Sequence, residues 1–303
     1  MKKLDTEAKL SHIIIYVDIN VSEEDILAFC TNIKAKYPEM GFTYLCYDNQ
    51  LQADHGGDMV KLINSAKYAP DFLFIITDSQ DALSAALDRG VACAALNTAY
   101  NSSEDLYRAR YCLEDVGFIS YERIRRMWQR HHAIPWTIAV TPRLEIREQT
   151  EEDLDSLYDI YDDDEAARFV EPLYMDRDKE AAYLRDYISC QYGFHEYGLW
   201  AVTLKETGEL IGRAGFFIRE GYDIPELGYI IGRRHRRMGY AKEALVAITG
   251  YGLDELGFDR YMAFTDSRNT ASVRLLESLG FFREGSDVIM GRMHDRYILT
   301  LHQ

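Results

Sequence analysis

The stretch Glu226-Leu-Gly-Tyr-Ile-Ile-Gly-Arg-Arg-His-Arg-Arg-Met-Gly-Tyr-Ala-Lys-Glu-Ala244 decides how the second half of this chain folds. Leu227, Tyr229, Ile230 and Ile231 read as a short apolar strand. Arg233, Arg234, Arg236 and Arg237 crowd the turn that follows, and Gly239 and Ala241 open a helix. The first N–H groups of a helix lack intrahelical partners and sit at the positive end of its dipole, so phosphate groups bind well there. Gly239 has no side chain to hold a ligand off its backbone, and Ala241 is nearly as permissive. Four arginines at one turn stand out in a chain of formal net charge -16. Strand, glycine spacing and charge together predict an anion cradle rather than a solvated basic turn.

Two nucleotide-binding loops are excluded. A Walker loop needs Gly-Lys followed by Ser or Thr, whereas Gly239 is followed by Tyr240. Gly250-Tyr-Gly252 with Gly257 has the wrong spacing for a dinucleotide fingerprint and falls late in the helix.

Arg236-Arg237-Met238-Gly239-Tyr240-Ala241 resembles the Arg/Gln-x-x-Gly-x-Gly/Ala signature of the GNAT family of N-acetyltransferases, which binds the pyrophosphate of acetyl-coenzyme A on this loop. Asn269-Thr-Ala-Ser272, opening a helix that ends in Leu-Leu-Glu277-Ser-Leu-Gly280-Phe281, resembles that family's second block. The order of elements over residues 143–303 fits the family, and is most similar to its ribosomal-protein N-terminal acetyltransferase branch. The resemblance implies a GNAT fold with a mixed, mostly antiparallel sheet and acetyl-CoA as co-substrate. It implies cofactor contacts from Tyr229, Ile230, Ile231, Arg236, Arg237, Met238, Gly239, Tyr240, Ala241 and Asn269.

A length of 303 residues suggests two domains. The expected division is a first domain over residues 1–132, a linker over 133–142 with Trp136 at the interface, and the acetyltransferase-like domain over 143–303. With 47% apolar and 28% charged residues the chain has the composition of a globular protein. Met1-Lys2-Lys3 leads into polar sequence and no long apolar run follows, so the expectation is a cytoplasmic protein without a membrane partner. Five scattered cysteines, none in a Cys-x-x-Cys pair, argue against a zinc site or a disulfide framework. Fifty acidic against thirty-four basic residues disfavour nucleic acid as a partner and suit an amine substrate.

The first half alternates strand and helix: strands at His12–Val17, Phe42–Tyr47, Phe72–Ile76 and Val91–Leu96, helices at Glu23–Lys36, Asp58–Lys67, Gln80–Arg89 and Tyr121–His131. This spacing predicts a parallel, Rossmann-like sheet with Asp18 and Asp78 at its carboxyl edge. Thr77-Asp78-Ser79, the small-residue helix after it and Gly90 resemble the last motif of the haloacid-dehalogenase-like (HAD-like) phosphatases. The nucleophile pattern is here Asp18-Ile-Asn20, without its second carboxylate, and Asp78 and Asp81 are one residue closer than that family's metal pair. The domain reads as a degenerate, non-catalytic relative, and no metal is expected in the chain. Asn101-Ser-Ser-Glu-Asp105 reads as a surface loop, and His131-His132 as structural, because neighbouring helical residues point apart.

In the second half Leu144–Arg147 reads as a strand, and Thr150-Glu-Glu-Asp153 as a capping box opening a helix through Tyr161. A further helix is expected from Asp176 to about Tyr192, and Leu199–Leu204 with Leu210–Ile218 forms a hairpin. Phe169-Val-Glu171-Pro-Leu-Tyr174 lies where the family covers its acceptor, so Glu171 is placed to hold an amine and Tyr174 to stack on it, unless the segment is a packed helix connection. Gly228 inside its strand suggests a bulge or a close ligand approach. The resembling fold splays this strand from its neighbour and takes the thioester oxygen on a backbone N–H near Tyr229 or Ile230.

Acetyl transfer requires a base for the ammonium, an oxyanion donor and an acid for the thiolate. Glu226 matches the family's base position, acting directly or through water. Many relatives carry an acidic tyrosine seven positions after the asparagine, and Leu276 stands there, so Ser272 is the nearest acid, with Tyr240 and Tyr297 as alternatives. The function this supports is direct acetyl transfer to a primary amine of a peptide or small cationic molecule. The alternatives are a coenzyme A or acyl-CoA binding regulator with a ligand-recognising first domain, and a phosphatase with an acetyltransferase-like appendage.

Overall fold

The computed structural model describes residues 9–48, 54–99, 101, 106–162, 169–289 and 291–301. The chain divides into two compact units, Met1–Ile134 and Pro135–Gln303. Most of the surface loop expected at 101–105 lies outside the described residues.

The first unit runs β1 (His12–Asp18), α1 (Glu23–Lys36), β2 (Gly41–Tyr47), α2 (His55–Ser65), β3 (Leu73–Thr77), α3 (Gln80–Leu87), β4 (Ala92–Leu96), β5 (Cys112–Leu113) and α4 (Tyr121–His131). Its strands lie in the order β2-β1-β3-β4-β5, all parallel. β1, β3 and β4 are apolar almost throughout because both faces are covered. Ile13, Ile15 and Val17 pack with Phe29, Ile33 and Trp128 on one side, and Ile14 and Tyr16 with Met59, Ile63 and Leu83 on the other. Ser22, Asp54, Ser79 and Ser120 each cap a helix by accepting a backbone N–H. The Asp54 cap starts α2 three residues before the expected Asp58. β3 begins at Leu73 because Pro70–Phe72 is a tight 3₁₀ turn, and β5 is too short to show a period.

The second unit runs β6 (Thr137–Val140), β7 (Leu144–Arg147), α5 (Leu154–Tyr161), α6 (Arg177–Asp186), β8 (Leu199–Leu204), β9 (Leu210–Phe217), β10 (Glu226–Ile231), α7 (Tyr240–Leu256), β11 (Arg260–Thr265), α8 (Thr270–Ser278), β12 (Phe282–Ile289) and β13 (Arg292–Thr300). Its sheet has the order β12-β13-β11-β10-β9-β8-β7-β6, antiparallel throughout except where β10 meets β11. Residues 137–140, expected within a linker, instead form the edge strand β6. Trp136 is 1% exposed in this unit's own core, its N–H donating to the Glu148 carboxylate at 3.1 Å. The alternation Trp136, Ile138 inward is what turns the connecting segment into a strand.

One sheet face carries α5 and α6, with Leu157, Ile160 and Leu184 against Ala201 and Ile230. The other carries α7 and α8, with Leu245, Ile248 and Leu276 against Phe216, Leu227 and Ile231. The helix expected to reach Tyr192 is α only to Asp186 and continues as a π-helical segment, Tyr187–His195. Its wider turn lets the Tyr187 hydroxyl accept from the Leu199 N–H at 2.6 Å, while the Tyr192 hydroxyl donates to the Leu199 carbonyl.

Two glycines of α7 separate helix propensity from packing. A β-carbon at Gly252 would lie 2.6 Å from the Tyr261 hydroxyl and 2.9 Å from the Phe216 ring, whereas at Gly250 it would meet nothing within 4 Å. Gly250→Ala is expected to stabilise the protein by about 0.5–1 kcal/mol through propensity. Gly252→Ala is expected to destabilise it by about 1–2 kcal/mol, because overpacking outweighs the same gain. Urea unfolding of both variants checks the opposite signs.

Candidate functional site

β10 and β11 touch at one register pair, Glu226 with Met262, supported by the Met262 N–H donating to the Pro225 carbonyl at 3.0 Å. From Leu227 to Ile231 β10 is paired only with β9. Backbone groups on its β11 side therefore face a gap that widens towards Ile231. Asn269 stands on the opposite lip, its side chain capping α8 by accepting the Ser272 N–H at 3.2 Å. Bidentate pairing of Asp266 with Arg268 fixes the turn just before it and, through that hydrogen bonding, holds the Asp266 carboxyl well below the usual range. Tyr229 points to this side of the sheet. Its hydroxyl is buried without a hydrogen-bond partner and lies near Ser272; burial pushes its pKa up to about 12, with Ser272 opposing.

At the wide end of the gap the chain makes a 3₁₀ turn at Arg233–His235 and then takes two left-handed residues, Arg237 at φ 61° and Gly239 at φ 82°. Successive N–H groups in such a turn converge on a concavity suited to an anion. No side chain caps α7, and among the described residues nothing accepts from the N–H groups of Arg237 to Ala241. Arg233, Arg234, Arg237 and Met238 are exposed. Arg236 instead ties the loop back to β10, its Nε donating to the Ile231 carbonyl at 3.0 Å.

The loop is anchored from the turn between β6 and β7. Arg143 donates from Nη1 to the Met238 carbonyl at 2.9 Å and from Nε to Glu243 at 2.7 Å, and its guanidinium lies 4.4 Å from the centre of the Tyr240 ring. Glu243 also accepts from the Thr141 hydroxyl at 2.6 Å and the Arg143 N–H at 3.0 Å. Burial raises the Glu243 carboxyl, but these donors outweigh it and hold the group below the usual glutamate range. A groove of about 440 Å³ runs beside the anchor, lined by Thr141, Pro142, Gly239, Lys242, Glu243, Val246 and Ala247.

Glu226 is 6% exposed and pairs with Arg219. Burial raises its carboxyl above the ordinary range, with the Arg219 hydrogen bond and charge opposing. Glu171 is exposed, near enough to Arg219, Tyr161 and Tyr183 to act on their charge. Tyr174, expected to stack on an amine, is already engaged: Lys179 Nζ lies 4.0 Å from its ring centre, and its N–H donates to Glu180 at 2.8 Å. Of the alternative acids, Tyr297 is buried in the core, and Tyr240 is the base of the Arg143 stack.

The acetyltransferase (GNAT) domain model matches residues 143–282. The chain is 31% identical over 166 residues to the uncharacterised N-acetyltransferase p20 of Bacillus licheniformis, covering 53% of this chain and 93% of that protein. It is also 31% identical over 149 residues to the uncharacterised N-acetyltransferase YoaA of Bacillus subtilis, covering 49% of this chain and 84% of the relative. The chain belongs to the GNAT family of acetyltransferases. It is an acyltransferase, of a family whose donor is acetyl-CoA. Among solved structures, the GNAT-family acetyltransferase of Bacillus anthracis is similar at a TM-score of 0.45 and 22% identity, covering 52% of this chain and 94% of that one.

The family match lies wholly within the second unit. In the first, Asp18 and Asp78 meet at the carboxyl edge of β1 and β3, where the strand order reverses. Asp78 accepts the Asp18 N–H at 3.1 Å and the Tyr47 hydroxyl at 2.8 Å, and Asp18 accepts from the Asn20 N–H and side chain at 2.8 and 2.7 Å. Among the described residues no group of His, Cys, Asp or Glu gathers as a metal site, and no helix is long and apolar enough to cross a membrane. His131 and His132, expected to point apart, meet edge to face with ring centres 4.8 Å apart; His131 also bonds the Gly90 carbonyl at 2.9 Å, and His132 packs on Trp128.

Arg143 and Glu243, which hold the loop, Arg219, which pairs with Glu226, and Arg213 on β9 are residues that the motifs did not indicate. Arg213 had a signal, a lone charge inside the apolar strand Leu210–Phe217; the other three depend on tertiary placement. Glu243→Gln is expected to cost about 1 kcal/mol of stability, discounted because Arg143 is half exposed. The carboxyl is depressed in the fold, so its contribution is present above the unfolded glutamate pKa and lost as pH falls through the lower folded value. Urea unfolding of both proteins at neutral and acid pH should therefore show the difference shrinking at low pH.

Proposed function

We propose that this chain is an acetyl-CoA-dependent N-acetyltransferase that transfers acetyl directly to a primary amine, of a peptide or a small molecule. The observation that carries this reading is the separation of β10 from β11 after Glu226, leading straight to the uncapped, left-handed turn at Arg237–Gly239. The turn suits the pyrophosphate of coenzyme A, with Arg237, Met238, Gly239, Tyr240 and Ala241 offering backbone N–H groups and Arg236 holding the loop. The open edge of Tyr229, Ile230 and Ile231 suits the amide-bearing pantetheine arm, with Asn269 opposite.

Glu226, buried and raised, serves as the general base. It takes a proton from the acceptor ammonium, directly or through water. The amine nitrogen then bonds to the thioester carbon, with a β10 backbone N–H steadying the oxyanion. The C–S bond breaks, and the departing thiolate takes a proton. Ser272 lies in the first turn of α8 beside the Tyr229 hydroxyl, and that pair supplies the acid.

Acetyl-CoA should stabilise the wild-type chain against heat in proportion to the logarithm of its concentration over Kd. Gly239→Trp, which places a side chain in the left-handed turn, should lose that shift. No shift at millimolar acetyl-CoA would sink the reading. Glu226→Gln should lower kcat/KM on any accepted amine by about a hundredfold while keeping acetyl-CoA binding. In the wild type the rate should fall as pH drops through a pKa above the ordinary glutamate range, and a pH–rate profile should show this limb missing in the variant.

A further inference from the structure

Arg213 lies on β9 opposite Ile230 of β10 and Ala201 of β8, on the sheet face that α5 and α6 cover. Glu226 lies on the same face, since it pairs with Phe217 four residues along the same ladder. Arg213 is half-buried. Its Nε donates to the Tyr161 hydroxyl at 2.8 Å, and it packs 5.0 Å from the centre of that ring. Tyr183 and Tyr187 are near enough to bias its charge.

What Arg213 lacks is a carboxylate. Other half-buried arginines of this unit have one: Arg147 pairs with Asp153, Arg219 with Glu226, and Arg296 with Glu284 and Asp287. Among the described residues no acidic group lies within 4 Å of Arg213, and its two terminal nitrogens have no acceptor. In a chain of net charge -16 this is not for want of carboxylates. A half-buried cation held in place by tyrosine rings and one hydroxyl, with no carboxylate in its fork, keeps two donors available to a ligand. The planar fork of a guanidinium matches two anionic oxygens.

We infer that Arg213 binds an anionic oxygen group on the acceptor, so that the substrate is a primary amine carrying a carboxylate or phosphate rather than a polyamine. This rests on the acetyltransferase reading above. Four residues of strand span about 13 Å between the Glu226 and Arg213 backbones. The reach of both side chains shortens that gap to the length of a small molecule, amine at the Glu226 end and anion at the Arg213 end.

The test is thiol release from acetyl-CoA by the full chain with matched amines: amino acids against their carboxamides, and O-phosphoethanolamine against ethanolamine. Thermal stabilisation of the coenzyme A-saturated chain by each amine is read in parallel, so binding is scored even without turnover. The wild type should prefer one anionic member over its neutral partner by roughly tenfold or more in kcat/KM and in apparent affinity. The preferred pair tells carboxylate from phosphate. Arg213→Met should bring that ratio close to one, with the loss in KM rather than kcat. Tyr161→Phe, which removes only the orienting hydroxyl, should reduce it partially and covers the case in which Arg213→Met fails to fold. Equal treatment of both members by the wild type, or a preference that survives in Arg213→Met, would overturn the inference. Failure of the acetyltransferase reading itself appears separately, as no stabilisation by acetyl-CoA and no release with any amine.

Discussion

The second unit depends on two parallel strands that begin as neighbours and then separate. Backbone N–H and C=O groups are strong, obligatory partners, and a sheet that leaves one edge of a central strand unpaired leaves them exposed to whatever enters the gap. β10 tolerates this because its other edge is fully paired with β9 from Glu226 to Ile231. β11 tolerates it because β13 pairs with it along its whole length, from Arg260 to Thr265. The split is thus held by two complete antiparallel ladders, and its depth is set by the single Glu226–Met262 pair.

The open end of the split is stabilised electrostatically rather than by packing. Arg237 and Gly239 take left-handed conformations, which favours glycine and strains an arginine by about 1–2 kcal/mol. Arg143 and Glu243 hold the turn in that state by binding the Met238 carbonyl and the β6–β7 turn together. The anchor satisfies the Met238 carbonyl and leaves the N–H donors of Arg237 to Ala241 uncommitted among the described residues. An anion is the group able to complete such an arrangement, and the exposed Arg233, Arg234 and Arg237 attract it in a chain that is otherwise acidic.

Much of this was legible in the sequence, because the decisive signals are local. The apolar run of β10, the glycine at the start of α7 and the asparagine capping α8 each act within a few residues, and all lie where periodicity and capping chemistry put them. The parallel sheet of the first unit was legible for the same reason. The partners of these elements were not. Glu243 and Arg143 are 100 residues apart, and Arg213 acquires its meaning only from the register that sets it against Ile230 and under Tyr161. β6 was read as linker because Pro135 and Pro142 flank it, and its place in the sheet appears only when β7 pairs with it. The π-helical turn after Asp186 was read as continued α-helix because the two share nearly the same apolar spacing.

The alternation of β10 lets one short strand serve both ligands of the proposed reaction. Successive side chains of a strand point to opposite faces. Leu227, Tyr229 and Ile231 therefore go to the face of α7 and α8, and Glu226, Gly228 and Ile230 to the face of α5 and α6. The glycine at position 228 makes room on the second face for the Phe217 ring, which a β-carbon there would meet at 2.9 Å. A one-residue slip of β10 against β9 would exchange the faces, turning Glu226 away from α5 and Tyr229 away from α8. The six-pair β9–β10 ladder is what prevents that slip, so the register of this hairpin fixes the chemistry as firmly as any single side chain in the site.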